Sequence, residues 1–231
     1  MATARKTPAA TGVGVRALSA QATRDKILKA ATQVFAKHGY QGGSVDKISR
    51  AAKSVDRMIY YYFGSKEGLF IEVIEGIYRR MNEAEARLRL NTDDPVTALG
   101  QVIDFVLGYY REHPEFITLL NTENLLQGRH IKQSPRAAQY SSPAIAVIAD
   151  ILARGQAMGR FRSDLRARDV YLLIVSTGYF LMSNRYTLSA FLGERVDAPE
   201  HTRAWQDFVT DAVLRTVLIS PPGDTHGHSH R

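Results

Sequence analysis

Between positions 57 and 66 the sequence RMIYYYFGSK places a guanidinium, three phenol hydroxyls and an ammonium group close together. Hydroxyl and ammonium donors bind phosphate oxygens, and a guanidinium can donate two parallel hydrogen bonds to a planar acceptor. A cationic and aromatic surface of this kind favours a polyanionic ligand over plain solvent. The candidate binding residues are Arg57, Met58, Tyr60, Tyr61, Tyr62 and Lys66.

Two short helical patterns joined by a tight turn must position these side chains. Ser44 is a candidate N-cap for the first helix, and the second helix is predicted over residues 56–63. Gly64 then stops that helix, and Ser65 caps the next one. Lys66 lies in the first turn of this next helix, where free backbone amides already attract anions. The pattern predicts a helix-turn-helix that binds DNA.

The charge of the chain is concentrated at its N-terminal end. Residues 1–66 contain 12 Lys and Arg against 3 Asp and Glu, a net charge of +9, whereas residues 67–231 contain 18 against 20. A solvated basic surface without a partner would explain the asymmetry equally well if it stood alone. Together with the helix-turn-helix spacing it indicates that only the first part of the chain meets a polyanion.

The composition is that of an ordinary globular protein, with 45% hydrophobic and 23% charged residues among 231. There is no cysteine, and we find neither a signal-peptide pattern nor an apolar run that approaches the roughly 20 residues of a membrane span. We therefore expect no membrane partner and residence in the cytoplasm.

Helical periodicity continues through the rest of the chain, and no alternating strand pattern interrupts it. Helices are predicted over residues 23–38, 66–90, 94–113, 114–127, 143–158, 169–188 and 201–219. In the 66–90 helix, Glu75 with Arg79 and Glu83 with Arg87 are expected to pair on the solvent side. The sequence thus predicts an all-α fold with four parts: a flexible arm over 1–20, a three-helix DNA-binding domain over 21–66, a larger helical domain over 67–220 and a disordered tail over 221–231.

Enzymatic chemistry has no positive support in the sequence. A nucleophile elbow, a HExxH metal motif, a Walker loop and a CxxC pair are all absent from it. His226, His228 and His230 alternate in the polar tail and could hold a metal, but a tail without a scaffold does not fix ligand geometry. We expect no catalytic residues, no metal site and no cofactor.

The segment from Thr23 to Leu69 resembles the N-terminal domain of TetR-type bacterial transcriptional regulators over its whole length. The resemblance rests on Thr23-Arg24, Gly39-Tyr40, Ser44-Val45, Ala51-Ala52, Ile59-Tyr60-Tyr61-Tyr62-Phe63 and Ser65-Lys66-Glu67. The turn departs from the family pattern, because Lys53-Ser54-Val55 stands where a glycine, a hydrophobic residue and a serine are usual. Either Ser54 or Asp56 could therefore cap the second helix.

The resemblance implies a homodimer whose two recognition helices enter successive major grooves of a palindromic operator, and a small organic effector that releases it. Tyr60, Tyr61, Tyr62 and Lys66 would contact phosphates, although packing is an equal alternative for Tyr62. Arg57 and Met58 would reach base edges. Ser44 and Val45 would lie against the DNA backbone, with only an amide contact from Val45.

Aromatic and polar residues in the larger predicted domain are candidates for the effector site, since small-molecule sites combine apolar walls with a few polar groups. They are Phe105, Tyr109, Asn121, Glu123, Asn124, Tyr179 and Asn184. A buried Glu123 would favour a cationic ligand and the nearby Arg129 an acid. Capping of helix ends or mutual hydrogen bonding is an equal alternative for the polar members.

The last two predicted helices carry more apolar surface than one packed side requires, so we expect them to form the dimer interface. Burial within one subunit is the competing interpretation. A different class of function, an all-α protein-interaction module without ligand control, would explain the amphipathic helices but not the concentrated positive charge. Steep salt dependence distinguishes DNA binding from that alternative.

Overall fold

The structure is a computed structural model that describes residues 11–90, 93–136 and 143–219. These residues form ten α-helices and a short 3-10 helix, and their β-type pairing is limited to an isolated bridge between Phe161 and Leu218. The predicted all-α class is confirmed. The helices are α1 (Thr11–Gly42), α2 (Val45–Ala51), α3 (Asp56–Phe63), α4 (Lys66–Glu85), α5 (Pro95–Glu112), α6 (Pro114–Leu125), α7 (Pro143–Ala157), α8 (Ala167–Ser183), α9 (Arg185–Leu192) and α10 (Pro199–Val217).

Two helix boundaries and the arm differ from the sequence prediction. Helix α1 already begins at Thr11, so the flexible arm is wrong for residues 11–20, because extending an established helix needs no new nucleus. Helix α4 ends at Glu85 rather than near residue 90, and Asn184 separates α8 from α9 where one helix was predicted. The remainder of the arm and the histidine tail over 221–231 lie outside the described residues.

The chain divides into two compact units, and the division does not follow the predicted domains. One unit contains the residues up to Gly76 together with Thr118–Pro135, and the other contains Ile77–Ile117 and the residues from Arg136 onward. Two of the three boundaries, after Gly76 and after Ile117, therefore fall inside α4 and α6. The predicted boundary at residue 66 placed all of 118–135 in the larger domain, yet this segment buries His130 and Ser134 within the first unit.

The first unit holds the helix-turn-helix on an aromatic and aliphatic core. Helices α1, α2 and α3 pack in sequence, and Ile27, Ile48 and Ile59 are fully buried between them. The Arg24 guanidinium lies 5.0 Å from the centre of the Phe63 ring, and its Nη2 atom is 2.7 Å from Glu72 Oε1. Arg24 thus joins α1 to the end of α3 and to α4.

The second unit is built around α5 and α8, which pack against each other and against α7 and α10. Asp94 caps α5 through hydrogen bonds from the amides of Val96 and Thr97, and Pro95 takes the first helical position, as predicted. In α7, a Cβ atom at Gly155 would lie 2.0 Å from the ring of Phe161, which is 1% exposed. No helix among the described residues has the length and apolar character needed to cross a membrane.

We expect Gly155→Ala to destabilise the fold, because the added methyl group meets the Phe161 ring in a filled core, which costs about 1–3 kcal/mol. Gly100→Ala in α5 is the matched control, since a Cβ there meets no atom within 4 Å and alanine favours a helix by about 0.5–1 kcal/mol. Urea unfolding measures both changes. Equal stabilities for the two variants would contradict the close Gly155–Phe161 contact.

Candidate nucleic-acid interface

Helix α2 begins at the predicted cap. The Ser44 hydroxyl accepts a hydrogen bond of 3.3 Å from the Lys47 amide, and Val45 is the first helical residue. The Lys47 ammonium donates to the Gly42 carbonyl at 2.9 Å, and Arg50 pairs with Asp46 one turn away. The start of α2 is therefore fixed by its own cap and by two cations held against the backbone.

The turn between α2 and α3 settles which residue caps the second helix. Val55 takes the N-cap position without a side-chain hydrogen bond, so neither Ser54 nor Asp56 is the cap. Asp56 Oδ1 instead accepts a hydrogen bond from the buried Ser49 hydroxyl. Lys53 has a φ of 48°, in the left-handed region where glycine is usual. Lys53, at the position where glycine is usual, thus places an exposed ammonium between the two helices.

Helix α3 presents the predicted cationic and aromatic surface. Ile59 is fully buried and Phe63 is 9% exposed, whereas Tyr60 and Tyr61 are 53% and 76% exposed. Arg57 is exposed as well, and Met58 and Tyr62 are half-buried. The Tyr62 ring lies 5.0 Å from Tyr61 and 6.3 Å from Phe63, so packing accounts for part of its surface.

Lys66 stands at the first position of α4, directly after the turn that ends α3. Gly64 has a φ of 72°, and the Ser65 hydroxyl accepts the Gly68 amide at 2.9 Å. The Lys66 ammonium lies 4.6 Å above the Tyr40 ring centre and 3.4 Å from the Gln41 carbonyl oxygen. Partial burial lowers the pKa of this ammonium below its usual range.

The electrostatics of this surface favour an anion. Exposed cations at Lys47, Lys53 and Arg57 accompany Lys66, while Asp46 is paired with Arg50 and the Asp56 carboxylate accepts from Ser49. The prediction omitted Lys53, although its presence at a glycine position was the signal that could have indicated it. The surface can bind a row of phosphates and present one guanidinium to a groove.

The predicted effector residues do not form one cluster. Asn121, Glu123 and Asn124 belong to the first unit, and Phe105, Tyr109, Tyr179 and Asn184 belong to the second. The Glu123 carboxylate is occupied within its own unit: it accepts the His130 amide at 2.7 Å and the Ile131 amide at 2.9 Å and lies 2.8 Å from His130 Nδ1. The Asn184 amide donates to the Phe180 carbonyl at 2.9 Å and ends α8, which is the capping role weighed against ligand binding.

Two predicted effector residues do meet in the second unit. The rings of Phe105 and Tyr109 lie 5.8 Å apart, and burial raises the pKa of the Tyr109 phenol. Phe105 also borders a cavity of about 140 Å³ whose other walls include Leu88, Val102 and Val147. Glu85, which is 6% exposed, contributes the acidic group at its edge. Glu85 was not predicted, although it follows Met81 by four residues on the apolar side of α4.

A capped first helix, a tight turn and an exposed cationic second helix define a helix-turn-helix DNA-binding protein. Residues 27–73 match the family described as bacterial regulatory proteins, tetR family, and residues 95–213 match the tetracyclin repressor-like C-terminal domain. The chain belongs to the TetR family of bacterial regulatory proteins. It is a DNA-binding transcriptional regulator.

Several relatives resemble the chain over most of its length. It is 50% identical over 202 residues to the HTH-type transcriptional repressor NicS of Pseudomonas putida, covering 87% of this chain and 95% of that protein. It is 29% identical to the HTH-type transcriptional repressor SCO4008 of Streptomyces coelicolor, over 68% of this chain and 76% of the relative. The crystal structure of SCO4942 from Streptomyces coelicolor superimposes with a TM-score of 0.63 at 26% identity, over 84% of this chain and 98% of that one.

The two kinds of contact expected on this surface are separable by substitution. Lys66→Ala should weaken binding to all DNA sequences alike and lower the salt slope by about one for each lysine removed. Arg57→Ala should instead relax preference at one base position by about 1–3 kcal/mol, since a bidentate guanidinium reads a base edge. Anisotropy titrations against matched and mismatched duplexes measure both effects. A uniform loss from Arg57→Ala would contradict its assignment to a base.

Proposed function

We propose that this protein is a homodimeric repressor that binds a palindromic operator and is released from it by a small organic effector, and that it acts in the cytoplasm without catalysing a reaction. The observation that carries the proposal is the surface of α3 with Arg57, Tyr60 and Tyr61 exposed beside Lys66. The names of NicS and SCO4008 as transcriptional repressors support repression as its effect on transcription.

The contacts proposed with DNA follow from the position of each side chain. Tyr60, Tyr61 and Lys66 would donate to phosphates, and Tyr62 would add a contact from its exposed part. Arg57 and Met58 would face the major groove. Ser44 and Val45, at the start of α2, would bring the first amides of that helix against the DNA backbone.

Selection of bound fragments from random DNA tests the proposal directly. The fragments should share an inverted repeat whose half-sites lie about one helical turn apart or slightly more, since each subunit supplies one recognition helix. Their affinity should fall steeply with salt because counterions are released. Recovery of no motif, with salt-insensitive association to proteins instead, would favour an all-α interaction module and exclude operator binding.

A second copy of the chain is the proposed occupant of an apolar groove in the second unit. Side chains of α8, α9 and α10 border this groove of about 410 Å³, among them Phe180, Leu188, Leu192, Trp205 and Phe208. Phe180 is 56% exposed, Leu192 62% and Phe208 63%, which is unusual for side chains of this size on a monomer. Two self-complementary copies would bury these side chains about a twofold axis.

Phe208→Glu should dissociate the dimer, because it places a charge in the centre of the proposed interface. Arg203→Glu, which changes an exposed residue on the same helix, is the control and should leave the dimer intact. Val213 is unsuitable for this test, since it is fully buried within its own unit. Sedimentation at micromolar concentration measures the mass, and a monomer of 25.7 kDa for the unaltered protein would refute the interface.

The effector is proposed to bind in the cavity of the second unit. An apolar cavity of roughly 150 Å³ holds a single benzene-sized ring, so the volume of about 140 Å³ favours a one-ring compound. Phe105 supplies an aromatic wall and Glu85 an acidic edge. To lower operator affinity tenfold, the compound must prefer the conformation that does not bind DNA by about 1.4 kcal/mol.

Filling the cavity should abolish the response while leaving DNA binding unchanged. Val147→Phe adds a ring to the cavity wall, and Ala149→Phe on the exposed side of α7 is the matched control. Single-ring aromatic acids, amines and neutral compounds are screened for a rise in melting temperature and for release of the selected operator. If compounds that raise the melting temperature never change operator affinity, ligand control is wrong even though the cavity binds them.

A further inference from the structure

The side chains of Lys66, Tyr40 and His130 pack in a row within the first unit. This row joins the start of α4, next to the recognition helix, to the Thr118–Pro135 segment. The Lys66 ammonium lies 4.6 Å from the Tyr40 ring centre, and the Tyr40 ring centre lies 4.5 Å from that of His130. His130 also contacts Phe70, with ring centres 4.8 Å apart. The imidazole, which is 1% exposed, is thus enclosed by two aromatic rings.

The position of Tyr40 depends on these rings because the backbone beside it is not helical. Gly39 has a φ of 66° and a ψ of 178°, so regular helix geometry ends before Tyr40. Phe70 at 4.9 Å and Phe35 at 6.1 Å complete the surroundings of the Tyr40 ring. Removal of the imidazole would leave a space into which this ring can tilt.

His130 is itself held by one carboxylate. Glu123 Oε2 lies 2.8 Å from His130 Nδ1, and Glu123 Oε1 accepts the amides of His130 and Ile131. Nδ1 therefore carries the proton that is donated to Glu123. The buried Nε2 atom has no hydrogen-bond partner among the described residues, so the ring makes one polar contact only.

A lysine needs such support if it is to hold one position. Its four-carbon stem is flexible, and fixing it in one conformation costs side-chain entropy. The cation–π contact with Tyr40 and the 3.4 Å contact with the Gln41 carbonyl restrict the ammonium before DNA arrives. Both contacts come from the two residues that follow Gly39, so a shift of Tyr40 and Gln41 would disturb both.

We propose that His130 is a positioning residue for Lys66: the imidazole supports the Tyr40 ring, and this ring holds the ammonium where it meets an operator phosphate. The inference rests on the proposed phosphate contact of Lys66. Displacement of the Thr118–Pro135 segment then weakens DNA binding through the loss of this support. Gln133 adds a second tie at the same place, because its amide donates to Glu67, the neighbour of Lys66, at 3.0 Å.

The test is a double-substitution cycle on the full chain, with anisotropy titrations against the selected operator between about 50 and 200 mM salt. The variants are Lys66→Ala, His130→Asn and the two combined. His130→Asn keeps a polar group able to bond Glu123 but removes the ring, and His130→Phe is its matched control, since it keeps a ring against Tyr40 and loses only the bond from Nδ1.

We expect His130→Asn to lower affinity and to reduce the salt slope as Lys66→Ala does. The combined variant should bind within about twofold of Lys66→Ala alone, because the lysine has already lost its position. His130→Phe should keep the salt slope of the unaltered protein. Should His130→Asn fail to fold, Tyr40→Leu replaces it in the cycle, with melting curves recorded for every variant.

Two results would overturn the proposal, and they differ from each other. If Lys66→Ala leaves affinity and salt slope unchanged, the phosphate contact itself is absent and the proposed role of Lys66 fails. If Lys66→Ala acts as expected but the affinity losses of the two substitutions multiply in the combined variant, His130 does not position the lysine. The same conclusion follows if His130→Asn lowers the melting temperature without changing the salt slope, because His130 is then purely structural.

Discussion

The hydrogen bonds accepted by the Glu123 carboxylate are the interaction that makes the Thr118–Pro135 segment part of the first unit. Burying a carboxylate to 5% exposure is costly unless donors replace its water, and here two backbone amides and one imidazole do so. These bonds close the chain between Glu123 and Ile131 into a compact turn. Because the turn carries the buried ring of His130, the segment becomes part of the core that supports the helix-turn-helix.

In the helix-turn-helix, the Asp56 carboxylate likewise accepts a hydrogen bond from a residue on another helix. Asp56 accepts from the Ser49 hydroxyl instead of capping α3, so the bond joins the two helices rather than serving one of them. The turn meanwhile accepts Lys53 in a left-handed conformation that costs a non-glycine residue about 1–2 kcal/mol. The outcome is a surface on which Asp46 and Asp56 are occupied by neighbours, while Lys47, Lys53 and Arg57 remain exposed.

Sequence patterns predicted the features that rest on neighbouring residues. The Ser44 cap, the bounds of α3, the Asp94-Pro95 start of α5 and the exposed Tyr60 and Tyr61 all follow from local spacing. The resemblance to a known family indicated that this spacing serves DNA binding, which helical periodicity alone does not indicate.

Buried acids were the features that local patterns could not supply. Glu75 was expected on the solvent side of α4, yet it is 3% exposed and accepts from the Ser134 hydroxyl, 59 residues away. Glu123 was predicted to bind a ligand because the donors to its carboxylate, seven and eight residues further along the chain, also lie beyond one helical turn. Sequence patterns predict that a carboxylate on a helix is exposed or functional unless its distant hydrogen-bond partner is known. Helical periodicity does not identify such partners.

The location of the unit boundaries inside α4 and α6 limits how this regulator can be rearranged in evolution. The DNA-binding unit is made from two separate pieces of chain, the residues up to Gly76 and Thr118–Pro135. A gene fusion that joined only the first piece to a foreign sensor would leave Phe70 and Tyr40 without the imidazole that covers them. A cut at one point of the chain therefore cannot transfer the complete unit.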